Sequence, residues 1–175
     1  MDTLMAREVY EQHHRSNCLV GRDSDGRPVI YTRCAEWGLG VIPPSMHSQS
    51  ICMLTDYLFA TMPVQCDTYI WLFNLEGFGY EHLYIEPMKE VINTIQKIFV
   101  STNHRIVCAY PNFVTRMVWR TLQPFFNERI KQKVVFIPEL TEASLAQIGI
   151  TLADGIPQEF GGGPDAFSIV EGQQA

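Results

Sequence analysis

The sequence predicts an α/β domain built on a mixed, mainly parallel β-sheet that is flanked by helices. Short runs of β-branched and aromatic residues alternate with amphipathic helical stretches of about 12 residues, the order typical of parallel crossover units. One run, residues 68–75 (TYIWLFNL), is almost continuously apolar, as expected of a strand that is buried on both faces. The chain has 175 residues, enough for one such domain with a substantial core.

The first half of the chain predicts a turn, a strand and a helix before that apolar run. The polar residues 1–24 lead into DSDGRP, whose Asp and Gly favour a turn, and residues 29–33 (VIYTR) are typical of a strand. A loop rich in Gly and Pro follows, and then Ser48 or Ser50 is a suitable N-cap for a helix that Pro63 ends. The apolar positions of this helix have helical spacing: Ile51, Leu54, Leu58 and Phe59.

The second half predicts two more helices and two more strands. A helix starts at Pro87, a residue well suited to a first helical turn. Its apolar stripe persists for three turns: Met88, Val91, Ile92, Ile95, Ile98 and Phe99. Residues 105–110 (RIVCAY) are a strand, residues 112–123 are a helix that Pro124 interrupts, and residues 134–137 (VVFI) are a buried strand.

Composition excludes several classes of protein. With 19 acidic and 13 basic residues the net charge is -6, which disfavours an extended nucleic-acid surface. The five cysteines form no CxxC pair, and we interpret them as buried free thiols of a reducing compartment. Since no run approaches the roughly 20 apolar residues of a membrane span, we expect a cytoplasmic protein whose membrane contact is peripheral.

The groups that an enzyme would need are not found. The glycines at 161–163 favour a tight turn over a phosphate loop, because the carboxylates of Glu159 and Asp165 flank them and no lysine is near. Cys108 and His104 could act as a nucleophile and a base, but core packing is the preferred interpretation. Neither a zinc motif nor a nucleophile elbow is present. We therefore expect no catalytic residues, no metal and no cofactor.

A basic segment near the C-terminal strand has two interpretations. Arg129, Lys131 and Lys133 stand out in an acidic chain and follow the apolar Phe125 and Phe126. They form either a solvated surface or a contact with anionic lipid, where each basic residue contributes about 1 kcal/mol.

Three blocks, in this order and spacing, resemble the CRAL-TRIO lipid-binding family. They are DSDGRPV at 23–29, YIWLFNLEGFG at 69–79, and YPNFVTRMVWRTLQPFFNERIKQKVVFI at 110–137, which is followed by the terminator IPQEFGG at 156–162. The resemblance implies an N-terminal extension over 1–22, a CRAL-TRIO-like domain over 23–165 and a tail over 166–175. It also implies that the glycines at 161–163 end the sheet structurally.

The resemblance further implies that the sheet forms the floor of a hydrophobic pocket and that a helix around Pro124–Ile130 acts as its gate. A lipid or another small hydrophobic molecule would be bound there and transferred between membranes during transient docking. The pocket and gate residues expected on this basis are Tyr31, Trp71, Phe73, Tyr110, Phe113, Met117, Phe125, Phe126 and Ile130. The residues expected at a phosphoinositide headgroup are Arg129, Lys131 and Lys133.

The chain departs from the family pattern in ways that keep an alternative open. Glu159 and Phe160 stand where relatives that transfer phosphatidylinositol often have Lys, and residues 1–24 are too few for the N-terminal helical subdomain of many members. The approach to the third strand, residues 101–113, is also short. In these respects the chain is similar to the compact branch in Rho-GAP and BNIP-type scaffolds. That similarity implies a protein-interaction domain that binds a small GTPase or another protein.

Overall fold

The computed structural model describes residues 17–38, 40, 42–99 and 101–152, and a five-stranded sheet is the centre of this part. The strands are β1 Asn17–Arg22, β2 Pro28–Arg33, β3 Tyr69–Asn74, β4 Asn103–Ala109 and β5 Val134–Ile137. They lie side by side in the order of the sequence. The first pair is antiparallel and the other three pairs are parallel. The predicted mixed, mainly parallel sheet is therefore confirmed.

Helices cover both faces of this sheet. They are α1 Pro44–Thr61, α2 Ile85–Phe99, α3 Phe113–Leu122, α4 Glu128–Lys131 and α5 Glu142–Gln147. Because α1, α2 and α3 each join neighbouring parallel strands in the same direction, right-handed crossovers place all three on one face. They pack there against Tyr69 and Trp71 of β3. On the opposite face α5 packs through Leu145 against Ile70 and Leu72.

The buried strand β3 illustrates why its sequence shows no alternation. Tyr69 and Trp71 belong to the cluster beneath α1–α3, whereas Ile70 and Leu72 belong to the cluster beneath α5. All four side chains are buried, since neighbouring residues of a strand point to opposite faces and both faces are covered. The prediction of a strand buried on both faces is confirmed.

Strand β1 and helix α5 were not predicted from the sequence. Strand β1 lies in the polar segment before the turn and pairs with β2, with Leu19 opposite Ile30. Helix α5 has only six residues and begins at a cap in which the Thr141 hydroxyl accepts a hydrogen bond from the Ser144 amide at 3.1 Å. Residues 17–22 were expected to belong to an N-terminal extension outside the domain, but as strand β1 they are part of the sheet.

The start of α1 differs from the sequence prediction. The helix begins at Pro44, because proline suits a first turn whose amides have no helical acceptor. Ser48, expected as a cap, lies one turn inside the helix and donates its hydroxyl to the Pro44 carbonyl at 3.0 Å. Helix α2 likewise begins at Ile85, ahead of Pro87. The glycines at 161–163 lie outside the described residues.

Candidate ligand cavity

An apolar cavity of about 200 Å³ lies between the sheet and helices α2 and α3. Its floor is formed by residues of three parallel strands: Trp71, Phe73, Ile106, Cys108, Val134 and Phe136. Its walls come from the two helices: Met88, Val91, Ile92 and Gln96 of α2, with Thr115, Val118, Trp119 and Leu122 of α3. Phe126 and Ile130 cover one side of it. The cavity therefore uses the sheet face that the crossover helices cover.

The size of the cavity indicates what it can hold. An apolar cavity of about 150 Å³ stays dry and is large enough for a benzene molecule. Pockets for drug-sized ligands are larger, about 300–1,000 Å³. The cavity as it stands thus has room for a small apolar group or part of an acyl chain. A two-tailed lipid requires the covering residues to move outward.

The aromatic floor is held in place by ring stacking and by hydrogen bonds to the neighbouring strands. The rings of Trp71 and Phe73 stack with their centroids 5.0 Å apart and an interplanar angle of 20°. The Trp71 indole donates to the Thr32 hydroxyl at 2.7 Å, and this hydroxyl donates to the side-chain oxygen of Asn17 at 2.5 Å. Since its N–H group is satisfied by neighbouring strands, Trp71 presents an apolar surface to the cavity.

Two polar side chains in the walls are also bonded to the backbone. The Thr115 hydroxyl accepts from the Asn112 amide at 2.8 Å and donates to the Asn112 carbonyl at 2.9 Å. The Gln96 side chain donates to the Phe125 carbonyl at 2.8 Å and accepts from the Asn127 amide at 2.5 Å. Because these groups are engaged, the walls contribute mainly apolar contacts to an occupant.

The cavity cysteines behave as apolar groups. Burial raises the pKa of the Cys108 thiol to about 12 and raises the pKa of Cys34 well above its usual value. Burial and the nearby Arg27 and Arg105 guanidinium groups lower the pKa of His104. The strongly disfavoured thiolate is consistent with the interpretation of Cys108 as a packing residue, because the thiolate is the nucleophilic form of cysteine.

Four of the nine expected pocket and gate residues line the cavity: Trp71, Phe73, Phe126 and Ile130. Tyr31 and Tyr110 do not, because they pack with the cluster on the opposite face of the sheet. Both border a separate polar cleft of about 360 Å³ at the carboxyl ends of β2, β3 and β4. There Asn74 donates to the Tyr31 hydroxyl at 2.6 Å.

The remaining three expected residues lie outside the cavity lining. Phe113 follows the N-cap of α3 and is 73% exposed. Met117 is on the face of α3 away from the lining, which is formed by the i, i+3 and i+4 positions Thr115, Val118 and Trp119. Phe125 is turned outward, and the ammonium group of Lys89 lies 4.8 Å from its ring centroid.

The three expected basic residues have different environments. Arg129 is exposed, whereas Lys131 forms an ion pair with Glu128 at 2.7 Å. Lys133 is half-buried and donates to the backbone carbonyl of Asn103. The expected row of three surface charges is therefore reduced, because one of the lysines supports the β4–β5 region of the fold.

The lining residues of α2 and α3 were missed as site residues. Met88, Val91 and Ile92 were recognised from the sequence as an apolar stripe, but such a stripe has the same pattern whether it packs against a core or borders a cavity. On α3, the sequence left open whether Val118 or Trp119 lies on the apolar face, because the helical phase was not known. The cap at Asn112, whose side chain accepts from the Thr115 amide at 2.9 Å, fixes that phase.

Comparison with known proteins identifies the family. The family model of the CRAL/TRIO domain matches residues 12–162 of this chain. The chain belongs to the CRAL/TRIO domain family. The expected membership is thereby confirmed.

Solved structures agree with this CRAL/TRIO fold. Forty-three chains of solved structures match, and one of them is the crystal structure of Sfh5. It matches with a TM-score of 0.61 and 12% sequence identity over 81% of this chain. The match covers 58% of the Sfh5 chain, less than two thirds of its length. A search of curated proteins finds no match.

Two findings concern membranes and metals. Among the helices of residues 17–152 that the structure describes, none is long and apolar enough to cross a bilayer. The same residues contain no cluster of three or more His, Cys, Asp or Glu side chains that could hold a metal ion.

Proposed function

We propose that this CRAL/TRIO domain binds an apolar ligand, such as a lipid acyl chain, in the cavity between the sheet and helices α2 and α3. The observation that carries the proposal is the lining of this cavity, which is formed almost entirely by aliphatic and aromatic side chains. Burying each CH₂ group of an acyl chain there contributes about 0.8 kcal/mol. A chain segment of a few carbons is thus sufficient for measurable affinity.

The ligand would be a cargo, and the domain would act without catalysis. Besides the polar atoms of Trp37 and Asn103, the cavity offers neutral thiols and the backbone-bonded side chains of Thr115 and Gln96, so it suits an apolar chain better than a reacting carbonyl or phosphate. A polar headgroup would remain at the side covered by Phe126 and Ile130. This arrangement fits the transfer of a lipid between membranes, because the tail is shielded from water during transit.

The membrane contact is proposed for the segment that contains Arg129 and Lys131. Both residues lie beside the covering Ile130 and carry positive charge in a chain of net charge -6. Anionic lipids attract such a segment by about 1 kcal/mol for each basic residue near the surface. The negatively charged headgroup of one phosphoinositide molecule would attract the same basic side chains. Docking there would bring Phe126 and Ile130, which cover one side of the cavity, close to the membrane lipid.

The test is a titration of delipidated protein with cis-parinaric acid, a fatty acid that fluoresces in apolar surroundings. We expect saturable binding of one molecule per chain. Binding that does not saturate, or that persists equally in unfolded protein, would contradict a defined cavity. It would favour the alternative of a compact domain that binds a small GTPase or another protein.

A further inference from the structure

One side chain connects helix α2 to the segment that covers the cavity. Gln96 uses both ends of its amide: its nitrogen donates to the Phe125 carbonyl at 2.8 Å, and its oxygen accepts from the Asn127 amide at 2.5 Å. Phe126 lies between these two backbone groups, and its ring lines the cavity and contacts Trp119 at a centroid distance of 5.4 Å. Gln96 therefore fixes the backbone on both sides of a cavity residue.

We define the cover as residues 123–131, which comprise the 3-10 turn Gln123–Phe125 and helix α4. The other walls are strands of a continuous sheet and two helices of 15 and 10 residues, whose backbone bonds are internal. The cover consists of two short elements. Its hydrophobic anchors are Phe126 and the buried Ile130. Short elements with few internal bonds open at lower free energy than long ones, so the cover is the wall that moves most easily.

A weaker contact supports the cover from the same helix. The Lys89 ammonium group lies 4.8 Å from the Phe125 ring centroid and forms an ion pair with Glu86 at 2.6 Å. Phe125 is 43% exposed, so this contact is screened by water. The two bonds of Gln96 are the more directional attachment, because they fix the backbone itself.

We infer that Gln96 is a clasp that holds the cover closed and thereby sets the rate at which an apolar ligand leaves the cavity. The effect on ligand release rests on the proposed function. The contact of Gln96 with the cover can be tested without ligand. Phe126 cannot swing outward with its flanking backbone unless both bonds break. Two exposed hydrogen bonds correspond to a factor on the order of 10 to 100 in the equilibrium between closed and open cover.

The first test is hydrogen exchange of the Asn127 amide in ligand-free protein, measured by NMR. Gln96 is the acceptor of this amide in the described part of the chain. The variant Gln96→Leu removes both bonds and retains an apolar stem. The control is Asn93→Leu, which replaces an exposed amide one turn earlier on the same helix. We expect exchange at Asn127 to be at least tenfold faster in Gln96→Leu and unchanged in the control. Equal exchange in all three proteins overturns the clasp.

The second test measures release of cis-parinaric acid into neutral phosphatidylcholine vesicles by stopped-flow fluorescence. We expect release from Gln96→Leu to be about tenfold faster than from the wild type, with Asn93→Leu like the wild type. Unchanged release together with faster exchange at Asn127 would show that ligand leaves by another side, and would overturn the gating role alone. Failure of every variant, including the wild type, to bind the probe would overturn the gating role and the proposed function together.

Discussion

The indole nitrogen of Trp71 donates a buried hydrogen bond to the Thr32 hydroxyl at 2.7 Å. This contact joins the cavity floor on β3 to the neighbouring strand β2. The same hydroxyl donates to Asn17 at 2.5 Å and so extends the connection to β1. Three strands are thus linked through one side chain, and the position of the aromatic floor depends on it.

Replacing Thr32 with Val tests this connection. The change preserves the shape of the side chain but leaves the Trp71 N–H group and the Asn17 oxygen without this partner. We expect the free energy of unfolding to fall by about 1–3 kcal/mol, the cost of leaving a buried polar group unsatisfied. Urea denaturation measures the effect. The control is Thr121→Val on the exposed face of α3, where the loss should stay below about 0.5 kcal/mol. Equal losses would contradict a special role for Thr32.

Two neighbouring residues of β5 provide a matched test of the cavity. Val134 lines it, whereas Val135 packs with the cluster on the opposite face of the sheet. Val134→Phe places additional side-chain volume in the cavity, so we expect cis-parinaric acid affinity to fall at least tenfold. Val135→Phe introduces the same volume on the other face and should leave affinity within about twofold.

Circular dichroism of both variants checks that they are folded. Equal affinity of the two folded variants would mean that the probe binds elsewhere. A loss confined to Val135→Phe would place the site on the α5 face.

The raised pKa of the Cys108 thiol predicts a loss of stability in alkali. Its pKa is about 12 in the folded chain against a usual value of 9.0, so the unfolded state loses its proton first as the pH rises. The stabilisation is fully present below pH 9 and decreases between pH 9 and pH 12. From pH 9 to pH 10 it should decrease by about 1 kcal/mol.

Urea denaturation at the two pH values compares the wild type with Cys108→Ala. The variant is expected to be less stable at both values but to show the smaller decrease between them. Parallel decreases in the two proteins would mean that Cys108 ionises equally in the folded and unfolded chains.

If the segment with Arg129 and Lys131 contacts the membrane, reversing its charges should weaken vesicle binding more than reversing two charges elsewhere. Arg129→Glu combined with Lys131→Glu should weaken binding to vesicles containing anionic phosphatidylserine by tenfold or more in a sedimentation assay. Lys133 is left unchanged, because its contact with the Asn103 carbonyl supports the fold. The control is Arg116→Glu with Arg120→Glu, which makes the same change of net charge on exposed positions of α3.

The control variant should bind these vesicles more strongly than the first variant does. If both variants bind equally, net charge alone governs the association and the docking segment is wrong. Binding to neutral phosphatidylcholine vesicles should be the same for all three proteins.

The sequence was sufficient for most of the fold because its strands are apolar runs that Pro and Gly separate. Pro63, Pro111 and Pro124 each fall just after an element that was predicted, and proline cannot continue a helix or a central strand. Strand β1 was not found in this way, because its apolar run CLV is only three residues long within a polar segment, and the strand is defined by its pairing with β2. Helix α5 is too short for a periodic pattern.

The cavity was harder to predict than the sheet for a geometric reason. In a strand that is buried on both faces, alternation does not reveal which residues face which layer, so Tyr31 was placed in the pocket although it belongs to the opposite cluster. Trp71 and Phe73 lie on the helix-covered face and line the cavity. The distinction between a packed core and a cavity depends on how closely α2 and α3 approach the sheet, which a single sequence does not specify.

Native mass spectrometry of the purified protein, followed by organic extraction and identification of any lipid, tests directly whether the cavity holds an apolar ligand. We expect a bound apolar molecule at up to one per chain, and its loss from the folded Val134→Phe variant. Contradiction would come from a protein that is empty as purified and stays empty after incubation with lipid vesicles. The cavity would then be a packing void, and the domain would be better explained as a protein-interaction module.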